Sequence, residues 1–153
     1  MAAHSVFKQM LDVVATEIQG LHLTGLPDNR VVVRRLPHDG EAYFPGVTVH
    51  PVKEIYHAGT NMREAIGYGC AVTMVVNNEN DQDYLLDRLL EWREKIRRYF
   101  VENPTLTGIT ATGASMCTLK VEHGDPIDWN DLIKKNYDVS TLIVRAYVWE
   151  TRT

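Results

Sequence analysis

No stretch of this chain approaches the roughly 18 consecutive apolar residues that a membrane-spanning helix needs, and no basic run offsets its acids. With a net charge of −4 and only the short pairs Arg34-Arg35 and Arg97-Arg98 as basic clusters, affinity built on phosphate neutralisation is not expected, nor is a sequence-specific nucleic-acid contact. Cysteine is scarce too. Cys70 and Cys117 are the only two, far apart and without CxxC spacing, so the reading is two reduced thiols within strands, with one disulfide as the alternative. Lys8, Asp12 and Glu17 interrupt the N-terminal segment, which therefore does not read as a signal peptide. The expectation is a soluble product made in the cytoplasm.

What is present suits one globular domain spanning 1–153. The length of 153 residues allows a core that holds without cross-links, and 44% hydrophobic with 24% charged residues is ordinary for such a domain. The clearest periodic segment is Asp81 to Phe100. Leu85, Leu89, Trp92, Ile96 and Tyr99 recur at steps of three and four, widened by Leu86, Leu90 and Phe100, and so predict one apolar helix face. Asp87, Arg88, Glu91, Glu94, Lys95 and Arg98 fill the other face. Acids at its start and bases at its end complement the helix dipole, and Pro104 follows.

Ser5 to Gly20 predicts a first helix, capped by Ser5 and stopped by Gly20. Arg30 to Leu36 predicts a strand closed by Pro37 and Asp39-Gly40. From 37 to 69 the pattern weakens, because Pro45, Gly46, Pro51, Gly59, Gly67 and Gly69 break up a short valine-rich strand. Either a loop-rich arm or an extended hairpin accounts for that stretch, and Tyr43, Phe44 and Tyr56 within it suit an ordered contact surface. Cys70 to Val76, Ala114 to Val121 and Ser140 to Trp149 predict further strands. The sum is an α+β domain: a mainly antiparallel sheet of four to five strands, two helices packed on one face, and the 37–69 arm.

No catalytic constellation emerges. His38, His50 and His57 match no zinc spacing and read as scattered surface histidines. His123, Asp125 and Asp128 fit a turn, and Glu79 to Asp83 lacks the glycine and terminal glutamate of a calcium loop. Gly67-Tyr68-Gly69 leads into a strand where a dinucleotide fingerprint needs a helix. Ser115 lacks nucleophile-elbow spacing. The expectation is a non-enzyme without metal or cofactor. The last strand carries the strongest binding pattern: Leu142, Val144, Ala146 and Val148 alternate with Ile143, Arg145, Tyr147 and Trp149. Aromatic and arginine residues in one row have the composition of an interface; a second core layer under the 37–69 stretch is the other reading.

The element order resembles that of tail terminator and tail completion proteins of long-tailed bacteriophages. The resemblance is carried by Val6 to Ile18, by Pro45-Gly46-Val47-Thr48-Val49, by Cys70 to Val76 leading into Asp81 to Phe100, and by Tyr137 to Val148. It is one of layout over most of the chain. It implies a virion protein of the tail neck, forming a homo-oligomeric, hexameric ring that caps the tail tube and joins it to the head connector. Tail tube and connector proteins are then the partners, with DNA passing through the ring. The extra length in 37–69 leaves a neighbouring neck or connector ring open. From a different class, a small enzyme or ligand-binding domain with a pocket under the 37–69 arm is the alternative.

Overall fold

A computed structural model describes residues 5–34, 45–60, 62–77, 83–109, 114–123 and 137–151. In chain order these form α1 (Val6–Gly20), a single 3-10 turn (Asp28–Arg30), β1 (Val31–Val33), β2 (Gly46–Pro51), β3 (Ile55–Gly59), β4 (Arg63–Asn77), α2 (Asp83–Glu102), β5 (Ala114–His123) and β6 (Tyr137–Thr151). The fold is α+β, as the sequence predicts. Among the described residues the sheet has six strands, in the order β1-β2-β4-β6-β5 with β3 also paired to β4. All neighbours are antiparallel except β1 and β2, which run parallel. The described strands already outnumber the expected four to five, and the sheet is mixed where a mainly antiparallel one is expected.

Both helices lie on the same face. α1 packs on β1, β2 and β4, and α2 on β4, β6 and β5, so each roofs half of the sheet. Ser5 caps α1 by accepting the Lys8 amide at 3.4 Å. Gly20 does not stop the helix by turning left-handed; it is the last helical residue, and His22 takes the positive φ of 47°. Along α2, Leu89, Trp92, Ile96 and Phe100 are fully buried, which is the apolar stripe of the sequence pattern. The opposite face is laced by Lys95–Glu91 and Arg98–Glu94 pairs that, being exposed, add little stability. Polar contacts tie the helices to each other's surroundings. Tyr99 donates its hydroxyl to Glu17, and Trp92 donates its indole N–H to the Thr24 carbonyl at 2.8 Å.

The largest correction concerns 37–69. Where described, it is no arm over the molecule but sheet: β2, β3 and the first half of β4, the extended-hairpin reading. Residues 37–44, with Tyr43 and Phe44, lie outside the described residues. β1 is likewise shorter than the expected Arg30–Leu36. β4 and β6 are paired over all 15 residues of each, from Arg63 opposite Thr151 to Asn77 opposite Tyr137. At about 3.3 Å per residue this ladder is about 50 Å long, whereas the 20 residues of α2 span about 30 Å. The central strands therefore outrun the helix layer. Tyr68 and Val148 belong to the helix-side core, with Ile66 and Ala114 packed against it; Arg63–Ala65 and Trp149–Thr151 continue past it.

Cys70 sits in the middle of that core, fully buried and with a free thiol. Burial pushes the thiol up to about 12, so almost no thiolate exists at neutral pH. In a Cys117→Ser background Cys70 is expected to resist a thiol reagent in native buffer and to react fully in denaturant. Rapid native labelling would contradict its position.

The sheet face opposite the helices as candidate interface

Alternation along β4 and β6 sends Leu142, Val144, Ala146 and Val148 into the helix-side core and turns Ile143, Arg145, Tyr147 and Trp149 to the other face. The cross-strand partners of that second row are Ala71, Gly69, Gly67 and Ala65 respectively. Every large side chain of that row thus faces a small residue on β4. The glycines that look like strand breakers are the space into which the β6 side chains lean. A Cβ on Gly67 would lie 3.0 Å from Tyr147 Cε1 and 3.1 Å from Arg145 Cδ, and one on Gly69 would lie 2.7 Å from Val52 Cγ2 and 2.8 Å from Arg145 Nη1.

Arg145 departs from the expected interface role. Only 5% of it is exposed. Its guanidinium crosses Gly69 and donates through Nη1 to the Lys53 carbonyl at 2.9 Å, and through Nε to Glu122 on β5 at 3.1 Å. The corner at 52–54, where β2 ends and β3 begins, is also held by the Val52 amide donating to the Gly69 carbonyl at 3.0 Å. Arg145 is therefore an internal clamp joining β5, β6 and the β2–β3 corner.

The other three members of the row are half-buried, and two of them stack with cations. Arg63 lies 5.7 Å from the Trp149 ring centroid and donates to Ser115 at 3.2 Å. Lys120 lies 5.5 Å from the Tyr147 centroid. Beside them the β3–β4 hairpin exposes Ile55 to 43%, Tyr56 to 59% and Met62 to 73%. Cross-strand parity puts Ile55, opposite Gly67, on the same face as Tyr147, and puts Tyr56, opposite Ile66, on the helix side. Toward the other end this face is closed: Thr48, Ala71, Thr73, Val75 and Val139 are buried. This face is thus buried toward one end and carries half-buried aromatic side chains toward the other.

On the helix side of the open end the charges are negative. Glu64 and Glu150 are direct cross-strand partners, and Tyr68 donates its hydroxyl to Glu150 at 2.5 Å. Burial, that hydrogen bond, and the charges of Glu150, Glu54 and Glu64 raise the Tyr68 pKa above its ordinary value, so the phenol stays protonated throughout the neutral range.

Of the histidines considered as ligands, His38 and the side chains of His57 and His123 lie outside the described residues. His50 is half-buried on β2, 3.4 Å from Thr73 Oγ1. No group of three metal-ligating side chains occurs among the described residues. Burial lowers the His50 pKa below its ordinary value of 6.5, the Pro51 backbone contact opposing in part. The folded state therefore binds its proton less readily than the unfolded state. Its contribution to stability is complete above pH 6.5 and is lost as pH falls from there through the lowered folded value. Substituting His50→Gln is expected to flatten the decline in urea midpoint below pH 6.5 relative to wild type; equal slopes would exclude His50 as the cause.

A scan against models of known protein families and a search of curated proteins find no match for this chain.

Proposed function

We infer that this chain is a structural assembly subunit, a tail terminator-like ring protein of the head–tail junction of a long-tailed phage, whose work is binding and not catalysis. The observation that carries the assembly half is the open end of the sheet. Half-buried Tyr147 and Trp149 stand there under cations with exposed Ile55 on the same face, and exposed Tyr56 and Met62 lie in the adjoining hairpin; aromatic, arginine and apolar residues gathered at one sheet end mark a protein contact. The phage half rests on layout: an N-terminal helix, valine-rich strands, one long strand leading into a long helix, and two closing strands resemble that family. In this reading each subunit contacts the next through a heterologous surface that repeats until the ring closes, a hexamer. Tail tube and connector proteins bind its two rims, DNA passes through the opening, and neither membrane nor cofactor takes part. The protein is made in the host cytoplasm and works in the virion.

Mass photometry of the purified chain, alone and with tail tube protein, is expected to give a ring. A persistent monomer under both conditions would overturn the reading. Trp149→Ala is expected to weaken self-association about tenfold while leaving the thermal midpoint close to wild type. Loss of folding without any change in assembly would return Trp149 to the core.

A further inference from the structure

The open end of the sheet is bounded by two different strands. On one side β3 lies beyond β4 where β1 no longer reaches, since β1 covers only Val47 to Val49 of β2. On the other side β5 lies beyond β6. Among the described residues no strand pairs with the outer edge of β3 or of β5. Which backbone groups point out follows from two bonds. The Val52 amide donates to the Gly69 carbonyl, and the Thr60 amide to the Arg63 carbonyl at 2.7 Å. Odd-numbered residues of β4 therefore bond toward β2 and β3, and even-numbered ones toward β6. Carried across the register, Ile55 bonds inward to Gly67, and Tyr56 turns its amide and carbonyl outward. On β5, Thr118, Lys120 and Glu122 bond inward to Tyr147, Arg145 and Ile143, and Leu119 and Val121 turn theirs outward. Each edge thus presents a row of backbone donors and acceptors, a template for a further strand.

The two edges fit each other in direction. β3 is antiparallel to β4, β4 to β6 and β6 to β5, so β3 runs against β5. Copies repeated in one sense set β3 of one antiparallel to β5 of the next, the more stable kind of pair. They also stand at one level, because Ile55, Gly67, Tyr147 and Thr118 form a single row across four strands. From Thr118 to His123, past its register shift, β5 pairs regularly. Every described side chain of β3 is exposed, Ile55 and Tyr56 among them, which is a placement that an edge strand left to water tends to avoid. We propose that the outer edge of β3 in one copy adds to the outer edge of β5 in the next, so that the sheets of neighbouring copies become continuous. Ile55 then joins the face that carries the neighbour's Tyr147 and Lys120. This rests on the ring reading above and names the edges that close the ring. A two-fold contact, β5 on β5 or β3 on β3, would stop at a dimer and leave the other edges open.

Proline at the outward position tests it. Tyr56→Pro removes the outward amide and spares the ladder to β4, whereas Tyr56→Thr loses the same ring and keeps the amide. Tyr56→Pro is expected to self-associate at least about tenfold more weakly than Tyr56→Thr in sedimentation velocity. Hydrogen exchange followed by mass spectrometry is expected to slow on assembly in peptides covering β3 and β5, and not in those covering α2. Circular dichroism and thermal melts establish that each variant is folded. If Tyr56→Pro is not, exchange in the wild type, concentrated against dilute, decides alone. Wild-type rings whose β3 and β5 exchange as fast as in the monomer, or Tyr56→Pro assembling as well as Tyr56→Thr, would overturn the edge pairing and leave the ring reading standing. A wild-type chain that stops at a dimer or stays monomeric would overturn both.

Discussion

Trp92→Ala is expected to destabilise the protein by about 3–5 kcal/mol, the range for truncating a fully buried tryptophan. Trp92 has no exposed surface and belongs to the core cluster between α2 and the sheet. Its indole N–H also donates at 2.8 Å to the carbonyl of Thr24, in the segment after α1. Truncation removes the largest side chain of the core and opens a cavity that close-packed neighbours fill only in part. It also removes one of the hydrogen bonds between α2 and the segment following α1. A domain of this size has about 5–15 kcal/mol in total, so the variant is expected to lose a large fraction of its stability. Trp92→Phe separates the two effects, because it keeps most of the ring volume and loses the donor, for about 1 kcal/mol. Both are read from the urea midpoint at constant m value. A cost below about 1 kcal/mol for Trp92→Ala would mean that the residue does not occupy the core.

The positions that sequence reasoning reads well are those whose cause is local. The stripe Leu89, Trp92, Ile96 and Phe100 follows from helical periodicity alone, and Ser5 caps α1 because its hydroxyl reaches an amide three residues on. Alternation in β6 was equally legible, but not which side meets the helices, since both rows are rich in apolar residues. One reading failed, and one contact had no sequence signal, because the deciding partner is remote in the chain. Arg93 lies among the buried positions of α2, donating to Ser140 Oγ at 2.9 Å and to the Thr141 carbonyl at 2.7 Å; nothing near it in sequence announces that acceptor. Gly67 and Gly69 suggested a broken, loop-rich segment. They lie within a continuous 15-residue strand, and the reason for their size is Tyr147 and Arg145, far along the chain. The charge contrast between the two sides of the sheet end was invisible for the same reason, since the register of β4 against β6 sets Glu64 beside Glu150.

That long-range dependence makes Gly69 and Arg145 one unit. Arg145→Met is expected to cost about 2 kcal/mol, because it strips the donors from the Lys53 carbonyl and Glu122 at a buried position. The penalty stays moderate since the Glu122 side chain is 45% exposed and regains water. Gly69→Ala is expected to cost about 1–3 kcal/mol by overpacking: its Cβ would sit 2.7 Å from Val52 Cγ2 and 2.8 Å from Arg145 Nη1. The methyl group and the guanidinium compete for the same volume, so whichever substitution comes first already releases the 52–54 corner. The double variant is therefore expected to be less destabilised than the sum of the two singles, with a coupling of about 1 kcal/mol. Hydrogen exchange at the Val52 amide, which donates to the Gly69 carbonyl, is expected to quicken in all three variants, since that bond spans the corner the guanidinium holds. Strict additivity, with Val52 still protected in Arg145→Met, would show that the corner is held by the backbone ladder alone and that Arg145 crosses Gly69 without fastening anything.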